Sequence, residues 1–217
     1  MARKKTEDPE ISLSEVRIKP PEFKVIEVEI RGISPLITHR FSEKAKEEMR
    51  AKQGRKLRGI VRPPKDPQAE FEAAKHADPA SGAEGITCSA FKGALMTAAG
   101  YYRTIPVTQL KGCIFVLPDF QDQDGEDCVR IEGKAQMRED TVRLAGPSAV
   151  TDLRYRPMYW PWSAVLRIQF DASMVSVDVI LALLVRAGFS VGVGEWRPSS
   201  PRSKTGWCGR WEVVQKG

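Results

Sequence analysis

The residues best suited to chemistry gather near the end of the chain. Between positions 187 and 211, Gly188, Gly192, Gly194, Gly206 and Gly209 alternate with Trp196, Trp207 and Trp211, and Arg197, Arg202, Lys204 and Arg210 are interleaved. Glycine tolerates positive φ and close backbone approach, so its N–H groups can converge on an anion. Arginine adds a forked donor matched to phosphate, and tryptophan a face on which a base stacks. Glycines and tryptophans alone would suit a plain hairpin plugged by aromatic rings. The added cations predict a clamp on a nucleic-acid backbone, with Gly192, Gly194, Trp196, Arg197, Arg202 and Lys204 as contacts. Two mononucleotide devices are excluded. A dinucleotide fingerprint needs glycine where Arg197 stands, and no glycine-lysine-serine/threonine triplet of a P-loop occurs.

Three other stretches add candidates. Arg50, Lys52, Arg55, Lys56, Arg58, Arg62 and Lys65 follow one another without an intervening acid, broken by Gly54, Gly59, Pro63 and Pro64. Such a run reads either as a solvated loop or as an arm that orders on nucleic acid. In residues 86–102, Phe91, Leu95 and Tyr102 recur at helical spacing. Thr87 or Ser89 is placed to cap that helix, with Lys92 near a phosphate at its N-terminus. Residues 133–162 read as an extended hairpin, Arg154, Arg156 and the aromatics Tyr155, Tyr159, Trp160 and Trp162 being suited to grip or wedge bases. Asp119, Asp122, Asp124, Glu126 and Asp127 lack the ligand spacing of a calcium loop and read as a solvated turn.

These residues need a scaffold. A chain of 217 residues fits one domain with insertions. The 41% hydrophobic content is ordinary, and no apolar run is long enough to span a membrane or to serve as a secretory signal. Net charge is +6, which suits a polyanionic partner. Cys88, Cys113, Cys128 and Cys208 show no C-x-x-C spacing and there are two histidines, so neither a disulfide framework, a structural zinc site nor any cofactor is expected, and the location expected is cytoplasmic.

Residues 1–22 read as a polar arm and 23–217 as one domain, with insertions at about 50–85 and 133–162. Residues 23–32 alternate apolar and charged side chains, as a half-buried strand does, and Ser42 is positioned to cap a following helix. Residues 66–85 read as a mobile continuation of the basic insertion. Further strands are expected over 112–117, 128–132, 163–171 and 210–214, and a helix over 176–187 closed by Gly188. The core order is strand, helix, strand, strand, helix, strand. This is an α+β, ferredoxin-like (RRM-like) βαββαβ arrangement.

On three segments the chain resembles the RAMP superfamily (repeat-associated mysterious proteins), specifically the repeated backbone subunit of CRISPR effector complexes. These are residues 23–37 ending in Ile33-Ser34-Pro35-Leu36-Ile37, then 86–95, then Val191-Gly192-Val193-Gly194 through 206–213. The resemblance implies a protein that polymerises along single-stranded guide RNA beside target DNA or RNA, copies of itself and other effector subunits. It would make 133–162 a thumb and 50–85 a web. RNA-cleaving members carry an acid in the loop after the first strand, whereas residues 32–42 have none, so no catalytic residue is expected. His39 and Arg40 lie in that loop and are expected to contact RNA. Two alternatives stay open: a stand-alone, phage-encoded coat or annealing protein, and a metal-independent endoribonuclease using His39.

Overall fold

The computed structural model describes residues 20–41, 66–102, 106–143, 151–201 and 203–214. The expected helix from Ser42 and the cations Arg50, Lys52, Arg55, Lys56, Arg58, Arg62 and Arg202 lie outside them. So does most of the polar arm.

The protein is mixed α and β, with three antiparallel sheets among the described residues. The largest has the order β11-β1-β10-β5, from Trp211–Val213, Phe23–Gly32, Ser163–Asp171 and Ile114–Leu117. β1 pairs with β10 along its length, from Phe23 opposite Asp171 to Arg31 opposite Ser163. Alternation sends Val28 and Ile30 of β1, and Ala164, Leu166, Ile168 and Phe170 of β10, into the core. There they meet Phe91 and Leu95 of α2 (Cys88–Ala99) and Ile180, Leu183 and Leu184 of α4 (Val177–Ser190). The opposite sheet face leaves Val25, Phe115 and Val165 exposed.

A second sheet, β2-β9-β8, is a long hairpin of β8 (Ala135–Arg143) and β9 (Thr151–Tyr159), with β2 (Leu36–Ile37) paired at its base. The third, β3-β4-β7-β6, comprises His76–Ala77, Glu84–Thr87, Asp127–Arg130 and Phe120–Gln121.

Several expectations require correction. Residues 66–85 are structured: α1 (Pro67–Ala73) starts at Asp66, whose carboxylate accepts from the N–H groups of Gln68 and Ala69, and β3 and β4 follow. Their polar composition hid short strands that gain stability from a sheet built later in the chain. Residues 107–113 form a helix, α3 (Val107–Cys113), running straight into β5. Gly188 does not end α4. It lies inside the helix, where a Cβ would sit 2.3 Å from the Trp211 carbonyl oxygen, so glycine here lets helix and strand pack closely. The helix starts at Ser176, whose hydroxyl accepts from the Val179 N–H, a cap not anticipated from the sequence.

Candidate functional site

The glycine-rich loop leaves α4 and folds back over the exit of β1. Its N–H groups at Glu195 and Gly209 donate to the carbonyls of Ile37 and Pro35, Val193 donates to Gly209, and the Arg210 N–H donates to the Ser34 hydroxyl. Gly192, Gly194 and Gly209 have φ of +69°, +75° and +65°. A Cβ on Gly194 would lie 2.3 Å from the Ile37 carbonyl oxygen, and one on Gly209 would lie 1.8 Å from that of Val193. The close approach that demands glycine is therefore to the chain's own backbone, where a ligand phosphate was expected.

Between this loop, the start of α2 and the segment after β2 lies a cleft of about 380 Å³. Its walls include His39, Ser89, Gly192, Gly194, Glu195 and Arg197, and also His76. Sites predicted from three distant stretches thus converge. Ser89 does not cap α2, and neither does Thr87: the Ser89 hydroxyl donates to the Thr87 hydroxyl at 2.9 Å, leaving the helix start without a side-chain cap. Arg197 braces the loop, Nη1 donating to the Gly194 carbonyl at 2.8 Å and Nε to the Ser199 hydroxyl at 3.2 Å. Trp196 has positive φ and is partly exposed, as are Trp207 and Lys204 on the same loop. Trp211 is a core residue against Phe91.

His39 is held neutral. Burial, then the charges of Arg156, Arg154 and His76, bring its pKa down to about 4. Its Nδ1 is buried with no hydrogen-bond partner among the described residues.

Other predicted contacts are used elsewhere. Arg40 is locked into the fold: Nε donates to the Lys75 carbonyl and Nη1 to the Asp124 carboxylate at 2.7 Å. Arg156 is 3% exposed beneath the hairpin, 3.7 Å from Asp140 and 3.9 Å from Glu195, with Nε and Nη1 lacking hydrogen-bond partners among the described residues. Its place near the base of the hairpin buries it, where the neighbouring Pro157 and Tyr159 of β9 are buried as well. Tyr159 and Trp162 are likewise buried, donating to Glu84 and to the Ser34 carbonyl. Arg154 is half-buried on the same strand. Lys92 lies over the Phe115 ring, 3.8 Å from its centre, in a separate depression lined by Glu126 and Asp127. An acidic surround there opposes phosphate binding.

The acidic turn is also not simply solvated. Asp122 is buried, accepts from the N–H groups of Asp124 and Glu126, and lies 2.6 Å from His76 Nδ1. No spacing in the sequence links His76 to Asp122; the β3-β4-β7-β6 sheet brings them together.

No family model matches the chain, and no curated protein matches it either.

Proposed function

We propose that this is a non-catalytic protein that binds single-stranded nucleic acid, RNA foremost, in the manner of a RAMP backbone subunit. The observation behind it is convergence: two of the segments on which the resemblance rests line a single cleft, at residues 86–94 and 191–199, together with Thr38 and His39, which directly follow the third. The order β11-β1-β10-β5 with α2 and α4 on one face supports a ferredoxin-like core, and the β8–β9 hairpin supports a thumb. In this reading Ser89, His39, the Gly192–Gly194 backbone and Arg197 line the path of the strand. Arg154, Trp196 and Lys204 extend it, while Arg202 and the basic residues 50–65, contacts expected from the sequence, lie outside the described residues. Arg40, Lys92 and Arg156 drop out as direct contacts. With no carboxylate in the loop after β1 and His39 kept neutral, binding is favoured over cleavage.

The test is fluorescence anisotropy with labelled single-stranded RNA and DNA over a salt series, together with electron microscopy on oligonucleotides of increasing length. The expected result is tighter binding to RNA, log affinity falling linearly with log salt at about 0.7 per phosphate contacted, and more copies on longer strands. Absence of binding at low salt overturns the proposal. Equal coating of DNA favours the stand-alone coat protein, and specific RNA cleavage lost in His39→Ala favours the nuclease.

A further inference from the structure

The cluster formed by His76, Asp122 and Cys128 is set by the third sheet and stands on geometry separate from the glycine loop. An imidazole nitrogen, a carboxylate oxygen and a thiol sulfur, from β3, the turn after β6, and β7, all lie within 4.8 Å of one another. His76 and Asp122 are in direct hydrogen-bond contact, and Asp122 and Cys128 are buried. His76 lies on the edge strand β3 and Asp122 in the turn after the other edge strand β6, and their contact, with the Ala77 N–H donating to the Gln123 side-chain oxygen, brings that turn against β3. Both edge strands are two residues long and hold little by pairing alone.

We propose that His76, Asp122 and Cys128 form a binding site for a transition-metal ion of the zinc class. One nitrogen, one oxygen and one sulfur donor suit zinc and its surrogate cobalt, and do not suit magnesium or calcium, which take oxygen ligands. Three protein ligands leave one tetrahedral position, and His76 stands on the wall of the cleft, which supplies water for it. Binding exchanges the His76–Asp122 hydrogen bond for two metal bonds. The imidazole proton moves from Nδ1 to Nε2, and the Cys128 thiol proton passes to solvent. The ion staples the turn after β6 to β3 and β7 beside the cleft.

The experiment uses the full chain, stripped with a chelator and titrated with Co²⁺. One equivalent is expected to produce a thiolate-to-cobalt charge-transfer band and tetrahedral d–d bands, which Zn²⁺ then bleaches. Cys128→Ser should abolish the charge-transfer band while Cys113→Ser and Cys208→Ser keep it. His76→Gln should weaken Zn²⁺ at least as much as loss of an outer-shell partner does, about 10–100-fold. Circular dichroism establishes that each variant folds. Should Cys128→Ser not fold, X-ray absorption on the wild-type cobalt form decides, one sulfur with nitrogen and oxygen donors being expected. No charge-transfer band in the wild type, a band that persists in folded Cys128→Ser, or a shell without sulfur overturns the proposal.

Discussion

The backbone of Gly194 lies so close to the carbonyl oxygen of Ile37 that an added Cβ would stand 2.3 Å from it. The neighbouring Glu195 N–H donates to that same oxygen at 2.8 Å. One carbonyl at the end of β2 therefore fixes both the position and the conformation of the glycine loop, and with them one wall of the cleft.

Gly194→Ala should accordingly destabilise the protein by about 2–4 kcal/mol, combining a backbone clash with a positive φ. Gly93, inside α2, has nothing within 4 Å of its would-be Cβ. Gly93→Ala should leave stability unchanged or raise it by up to about 1 kcal/mol. Urea unfolding of the two variants checks the contrast, and a Gly194→Ala variant as stable as wild type would contradict it.

Arg156 is one of two cations beside the buried Asp140 carboxylate, Arg138 donating to its other oxygen at 2.8 Å. Arg156→Ala is expected to cost about 1–3 kcal/mol, and Arg156 and Asp140 should couple by about 0.5–3 kcal/mol. A double-mutant cycle in denaturant reads the coupling, and strict additivity would show that the pair does not interact.

His39 makes stability depend on pH. Its folded pKa, about 4, lies below the ordinary 6.5, so between these values the unfolded chain binds the extra proton. Stability from this group is complete above pH 6.5 and is lost as pH falls toward 4, by up to about 3 kcal/mol. His39→Gln should flatten the stability profile in that window. A variant whose profile overlays the wild type would place the titration elsewhere.

Arg197 and Arg40 should differ in what they contribute to binding, although both are hydrogen-bonded within the fold. Arg197→Ala, at the cleft wall, is expected to weaken RNA binding and to reduce the salt slope by about 0.7. Arg40→Ala breaks the contact with Asp124 and should lower stability by about 1–3 kcal/mol while RNA affinity of the folded protein holds. Anisotropy and thermal melts on both variants give the comparison, and the reverse pattern would reassign the two arginines.

Much of the scaffold was legible in the residues themselves. Alternation in β1 and β10 and the helical stripe on α2 are local patterns, governed by side-chain geometry within a few residues. The sequence also placed Gly192, Gly194, Arg197, His39 and Ser89 among the site candidates, because their chemistry is apparent from residue type. It could not tell which cations remain available. Arg40 and Arg156 look like Arg197 in the sequence, but Asp124, Asp140 and Glu195 reach them across the chain. The purpose of the glycines was likewise hidden, since the carbonyl that crowds Gly194 belongs to a strand near the start of the chain. The same holds for His76, Asp122 and Cys128, which share no recognisable spacing. Strand pairing and the turn after β6 made them neighbours, and burial, which depends on that folding, decided which charges had to be paired inside and which stayed at the surface.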